Sequence, residues 1–150
     1  TSALRLQRAE QVLAELRADG LQPDRHTHAA MVRMYATAKR VDQLQQYVAT
    51  LRAAADYRPG MLGSLAYKQA ARAFARMRRP RLALDMLREL VDHCRSMPSR
   101  TLANDVLNAA RDEPLVREAL FALCAPLFPE RAHAKPARRA RRRRGVKSPF

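Results

Sequence analysis

A set of apolar positions recurs along this chain at nearly fixed intervals, and that recurrence limits the fold more than any single motif does. Ala9, Leu13 and Leu16 are matched by Leu44, Val48 and Leu51, then by Ala83, Leu87 and Leu90, then by Ala119 and Leu123, with first members 35, 39 and 36 residues apart. Within each set the spacing is three or four residues, so each set forms one stripe on a helix with 3.6 residues per turn. A period near 35 with two helices per unit marks a helical-hairpin array. No unit of such an array buries its own apolar face, so neighbours must stack.

The stretch Ala9 to Leu51 spells out one unit. Ala9, Val12, Leu13 and Leu16 give the first helix its apolar side and leave Glu10, Glu15 and Arg17 for water. Gly20 tolerates the left-handed backbone that ends a helix, Pro23 follows where a helix cannot continue, and Asp24 caps the next N-terminus. Ala30, Met31, Met34 and Tyr35 are the expected buried side of the second helix, and Val41, Leu44, Val48 and Leu51 that of the third, after a short polar connection. Downstream, Tyr67, Ala70, Phe74 and Met77 repeat the pattern, and Ser99 caps a further helix. Prolines 23, 59, 80, 98 and 114 fall at element boundaries, and four glycines in 150 residues argue against a sheet.

The expected fold is therefore all-α. It is a right-handed α-solenoid of helix-turn-helix repeats spanning residues 1–128, with a helix at 3–18 and repeats at about 25–58, 60–97 and 99–128, followed by an extended Arg-rich tail at 129–150. The helix at 3–18 lacks a preceding partner. An upstream helix, a processed N-terminal segment or another protein is expected to cover its stripe.

Beyond periodicity, the residues resemble the pentatricopeptide repeat family. Ala9, Leu13, Glu15-Leu16, Gly20 and Pro23-Asp24 stand at the spacing of that family's repeat ending, and Thr27-His28-Ala29 occupies its Thr-Tyr-Asn opening, with Met31-Val32 and Tyr35 in place. Ser64 to Leu90 fits through Tyr67, Phe74, Ala83-Leu84, Leu87 and Glu89-Leu90; Arg100 to Leu123 fits through Asn104, Val106-Leu107, Ala119 and Leu123. The likeness covers roughly residues 9 to 124, and its later units also resemble a tetratricopeptide-like array. The resemblance implies an organellar RNA-binding protein whose first helices read bases through one polar position. That position holds Ala29, Lys68 and Asn104 in turn. Alanine has no polar contact to offer, lysine suits phosphate more than a base, and only Asn104 keeps the family's residue type. The implied mode is backbone binding with little sequence preference. Asn104 has an alternative use in a hydrogen bond within a turn or between helices.

Charge points the same way. The chain carries +15, but from Arg131 onward there are nine Lys/Arg and no acid, which leaves +6 on the rest. A run of like charges has little to bury and commonly serves as an arm on nucleic acid, where each arginine forks onto phosphate oxygens. Arg138, Arg139, Arg141, Arg142, Arg143, Arg144 and Lys147 are the expected contacts of this arm, with a targeting signal or a solvated tail as the alternatives. Lys68, Arg72 and Arg76 add a basic face to one helix, and Arg79 lies in the same cluster as Arg78 and Arg81. Leu120, Phe121, Leu127 and Phe128, in the apolar run 119–129, are expected to bury against a neighbouring protein or back on the preceding helices.

No phosphate loop, metal-ligand cluster or nucleophile setting is present, so neither an enzyme nor a cofactor is expected. His26 and His28 do not share a helical face, and Cys94 and Cys124 read as reduced core thiols. The eleven-residue apolar run 119–129 is short of the about 20 residues that cross a bilayer. Acids Asp42, Glu89, Asp92 and Glu118 fit solvent-facing positions or pairing within a helix. The expected function is that of a structural protein of a mitochondrial ribosome, contacting rRNA backbone and neighbouring ribonucleoprotein subunits, with the plastid as the alternative compartment. The alternatives are a free organellar factor for RNA maturation, stability or translation, and a protein-binding adaptor.

Overall fold

The computed structural model describes residues 1–132. These form α1 (Ser2–Ala18), α2 (Arg25–Thr37), α3 (Val41–Ala53), α4 (Ser64–Arg76), α5 (Pro80–Asp92), α6 (Arg100–Ala109), α7 (Pro114–Leu123) and a short α8 (Pro129–Ala132), with a single 3-10 turn at Ala125–Leu127. The described residues are all-helical and contain no strand. No helix among them is long and apolar enough to cross a membrane.

Local chemistry sets most of these boundaries. Asp24 accepts from the Thr27 N–H at 2.9 Å and opens α2; Ser99 accepts from the Leu102 N–H at 3.1 Å and opens α6. Pro80 and Pro114 begin α5 and α7, where a missing N–H costs nothing. α1 ends in a Schellman turn: Leu21 N–H returns to the Leu16 carbonyl, Gly20 N–H to that of Arg17, and Gly20 sits at φ +74°. The same turn closes α2 and α4, but there Lys39 (φ +59°) and Arg78 (φ +57°) take glycine's place. Each carries about 1 kcal/mol of left-handed strain, which the Arg40-to-Tyr35 and Arg79-to-Phe74 backbone bonds help to hold.

Packing centres on α4, which lies against α2, α5 and α6, while α1 packs on α2, α3 on α2, and α5 on both α6 and α7. The first-helix cores are in register: Met31, Ala70 and Val106, then Val32, Ala71 and Leu107, then Tyr35, Phe74 and Ala110, are all buried at successive offsets of 39 and 36 residues. Small residues on α4 face larger ones on its neighbours, so the helix backbones approach closely. Val41, Leu44, Val48 and Leu51 of α3 recur as Pro80, Ala83, Leu87 and Leu90 of α5, again all buried. Burying such a side chain contributes about 1.5–3 kcal/mol.

Several expected core positions differ, Ala9 and Leu16 on α1 being only half-buried. Val12 is 54% exposed, because α1 packs chiefly on α2 and buries the narrow pair Leu6 and Leu13. Ala30 is exposed, and Val32, two residues on and across the helix, is buried in its stead. Met34 is half-buried. Met77 is 46% exposed since it forms the C-cap of α4, past the last turn that shares the Phe74 face.

The apolar run that closes the described chain turns back on the preceding helices. Leu120 and Phe128 are buried, with Phe121 and Leu127 half-buried, and the Phe121 and Phe128 rings meet edge-on at 5.0 Å. Arg131 lies over Phe121 at 3.6 Å and Arg100 over Phe128 at 5.4 Å, so cations cover the outer faces. Cys124 is buried and its thiol is pushed up to about 11 by that burial; Cys94 is half-buried and donates to the Gly60 carbonyl at 3.5 Å.

One buried polar network locks α3 to α5. Glu89, only 8% exposed, accepts from Arg52 at 2.6 Å and from the Tyr57 hydroxyl. With that proton committed, Tyr67 donates to the Tyr57 oxygen at 3.1 Å and accepts from the Gly60 N–H at 3.0 Å. Burial, followed by the bond to Glu89, pushes the Tyr57 hydroxyl far up, so it stays protonated. Glu89 is therefore neither solvent-facing nor paired within its helix, whereas Asp42 and Glu118 do face solvent and reach across elements to Arg79 and Arg131.

Glu89→Ala leaves Arg52 and Tyr57 partly buried without their acceptor and is expected to destabilise the chain by about 2 kcal/mol in urea unfolding. Gly60 has φ +86°, and a Cβ there would meet the Cβ of His93 at 2.7 Å, whereas one at Gly20 meets nothing within 4 Å. Gly60→Ala should thus cost about 2 kcal/mol or more and Gly20→Ala about 1 kcal/mol, read in the same assay.

Candidate nucleic-acid interface

Acids and bases are sorted between the helices. α2 (RHTHAAMVRMYAT) and α4 (SLAYKQAARAFAR) contain no Asp or Glu, and α6 has only Asp105; the other helical acids lie on α1, α3, α5, α7 and α8. Bases on α3 and α5 consequently find partners. Arg52 reaches Glu89 and Asp85, Arg81 reaches Glu113 at 3.1 Å, and Arg88 reaches Asp85 at 3.7 Å. Arg33, Lys39, Lys68, Arg72, Arg76 and Arg78 make no ion pair among the described residues.

These uncompensated cations keep the repeat register. Lys68, Arg72 and Arg76 lie four residues apart on α4, so one helical face carries all three; Lys68 is half-buried and the other two are exposed. Arg33 occupies on α2 the place of Arg72 on α4, and Lys39 occupies in the first turn the place of Arg78 in the second, each 39 residues earlier. On α6 the matching positions are Asn104 and Asn108, followed by Asp112, so the basic surface fades toward the third helix pair. Asn104 itself is exposed.

Arg79 departs from expectation. Its guanidinium points to α3, where it holds Asp42 at 2.5 Å and the Gln45 amide oxygen at 2.5 Å. It fastens α5's entry to α3 and is not an open cation. Arg138, Arg139, Arg141, Arg142, Arg143, Arg144 and Lys147 lie outside the described residues.

Two depressions run along the seam between α2 and α4. One, of about 310 Å³, is lined by Arg5, Arg33 and Thr37; the other, of about 420 Å³, by Lys39, Arg72 and Arg76. Gln69 lines both. Like charges four apart on a helix oppose folding by about 0.2–0.5 kcal/mol a pair, a repulsion that an anion placed in these depressions would relieve. Arg5, Arg33, Lys39 and Gln69 were not singled out by motif. The signals that point to them are the absence of acids from α2 and α4 and the 39-residue register linking Arg33 to Arg72.

A different surface opens on the other side, between α1 and α3. The positions that correspond to Arg52, Asp85 and Glu89 at the α3–α5 junction are Arg17, Gln46 and Thr50 here, 35 or 39 residues earlier. Lacking the carboxylates, this junction is not bridged by an ion pair among the described residues, and a cleft of about 680 Å³ lies there. Its floor is aromatic: His28 Nδ1 and the Tyr47 hydroxyl share a hydrogen bond of 2.7 Å, and the Tyr35 and Tyr47 rings lie 5.6 Å apart. Burial, then the nearby Glu10, pushes Tyr35 up to about 12, and burial pushes His28 below its ordinary 6.5. His26 is exposed, and no group of three potential metal ligands occurs among the described residues.

Because the unfolded chain protonates His28 near 6.5 and the folded chain only at lower pH, the unfolded state binds more protons in that interval. Stability is then present above 6.5 and is lost as pH falls through the folded value. The urea midpoint of the protein should drop between pH 7.5 and pH 5.5, and His28→Asn should flatten that part of the profile.

Comparison with protein-family models, with curated proteins and with solved structures returns no match to this chain.

Proposed function

We propose that this chain is an RNA-binding helical-repeat protein, a short right-handed α-solenoid of pentatricopeptide-like hairpins that holds RNA by its backbone. The observation that carries the proposal is the sorting of charge: α2 and α4 are free of acids and present Arg33, Lys68, Arg72 and Arg76, while Arg52, Arg79, Arg81 and Arg88 are neutralised by acids. A surface that keeps cations unpaired when acids are available nearby is suited to an external polyanion. The stacking of α2, α4 and α6 along one side, with second helices on the other, supports the solenoid form.

Its setting, on this proposal, is a mitochondrial ribosome, where the chain acts structurally and touches rRNA and neighbouring subunits. The three equivalent positions Ala29, Lys68 and Asn104 share no base-reading chemistry, which fits a fixed place on folded RNA better than selection of a sequence. α1 leaves Leu4 and Val12 more than half exposed, a narrow apolar edge that a neighbouring subunit would cover. The organelle comes from the family resemblance. An adaptor reading draws on the cleft between α1 and α3, which has an aromatic floor and mixed charge and is wide enough for a peptide.

Binding to single-stranded RNA should weaken with salt at about 0.7 in log affinity per phosphate contact, so the six cations Arg33, Lys39, Lys68, Arg72, Arg76 and Arg78 of α2, α4 and their turns, unpaired among the described residues, predict a slope of about −4. Arg72→Glu with Arg76→Glu should weaken binding about a hundredfold, by two lost contacts and two added repulsions. Arg88→Glu, on the paired side, should leave it within about twofold. A flat salt dependence, or equal effects from both sets, rejects RNA in favour of the adaptor. In an organelle extract the tagged chain should sediment with a ribosomal subunit and shift on ribonuclease treatment; migration as a small RNA-free complex contradicts the ribosomal setting.

A further inference from the structure

Gln69 stands between the two basic depressions and is the one described side chain with a buried polar atom lacking a hydrogen-bond partner: its Oε1 is out of contact with water and accepts from nothing. Leaving such an acceptor unsatisfied opposes folding, and native chains carry few. Its surroundings explain neither its retention nor its polarity. The register-equivalent residues are Ala30 on α2 and Asp105 on α6, so the repeat does not require an amide here. Met34 and Ala73 line the adjoining walls, and either depression would accept an aliphatic chain at this point. What distinguishes the position is that Arg5 and Arg33 lie on one side of it, and Lys39, Arg72 and Arg76 on the other.

We infer that the α2–α4 seam is a seat for one nucleotide of a single strand, with its two flanking phosphates in the two depressions and its polar edge on the Gln69 amide. The inference rests on the RNA reading given above and assigns the contact that the uneven series Ala29, Lys68 and Asn104 does not supply. Successive phosphates of a strand flank each sugar and base, so a polar group set between two basic pockets meets the nucleotide and not the backbone charge. An amide oxygen without a partner takes an N–H or O–H donor. On an unpaired nucleotide that donor is the exocyclic amine of adenine, cytosine or guanine, the ring N–H of uracil or guanine, or the ribose 2′-hydroxyl. The contact requires the Gln69 side chain to turn so that its oxygen, closed off in the seam, faces the groove. A single strand suits this seat, because its unstacked bases can turn their edges to the protein, whereas in an A-form duplex the adenine and cytosine amines lie in a deep, narrow major groove that side chains do not reach.

The test compares the full-length protein with Gln69→Leu and Gln69→Met, using fluorescently labelled decamers of rA, rC, rU and dC in anisotropy titrations over a range of salt. Leucine and methionine keep the bulk and remove the unsatisfied acceptor, so both variants should melt a few degrees above the parent, by about 3 °C. Both should bind the decamer that the parent prefers about tenfold more weakly than the parent does, with an unchanged salt slope, since no phosphate contact is lost. If the donor is the exocyclic amine, the parent prefers rA and rC over rU, and if it is the uracil ring N–H the parent prefers rU; in either case the variants lose that preference. If it is the 2′-hydroxyl, the parent prefers rC over dC and the variants lose that one instead. Parent-like affinity and preference in folded variants overturns the role of Gln69 and leaves the RNA reading standing. Failure of the parent to bind any decamer overturns both.

Discussion

Close approach of three helices is the constraint from which the rest follows. α4 is flanked by α2 and α6 and backed by α5, and it meets them through Ala66, Ala70, Ala71 and Ala75 with Tyr67 and Phe74 as the only large buried side chains. Alanines on the central helix let Met31 and Val32 from one side and Val106 and Leu107 from the other fill the space between backbones. Such packing leaves no room for charge on the inner sides. Lys68, Arg72 and Arg76 are therefore confined to the one remaining strip of α4, and that strip is the surface proposed to face RNA.

The second helices do a different job with the same residue types. Ion pairs at their junctions link one hairpin to the next: Arg52 with Glu89, Arg79 with Asp42, Arg81 with Glu113. Exposed pairs of this kind contribute little singly, about 0–1 kcal/mol, and their value lies in fixing the angle between hairpins. The Glu89 network goes further, because it holds the long connection between α3 and α4 through Tyr57, Gly60 and Tyr67. Where the acids are absent, between α1 and α3, the junction stands open as a cleft. Placement of acids thus decides which junctions close and which cations stay available.

Much of this was legible in the sequence. Stripe spacing located every long helix, and Asp24, Ser99, Gly20 and the prolines placed the boundaries, because caps and breakers act within a few residues of themselves. Misses arose where the answer depends on a distant element. Val12 lies on a regular stripe but has no neighbour to cover it, and Met77 lies one residue beyond the helix that would have carried it inward. Arg79 is one of five neighbouring arginines in sequence, and only the position of Asp42 and Gln45 across the junction separates it from Arg72 and Arg76. Gln69 has no local signal whatever, since an unsatisfied oxygen is a property of the packed seam.

The most direct measurement of the central claim is photo-cross-linking of the purified protein to a 4-thiouridine-containing single-stranded RNA, with the attachment sites mapped by mass spectrometry. The account predicts adducts on α2 and α4 peptides, around residues 25–39 and 64–79, with α3 and α5 beyond Arg79 unlabelled. Adducts spread over 41–53 and 81–92, or none on α2 and α4, would contradict it.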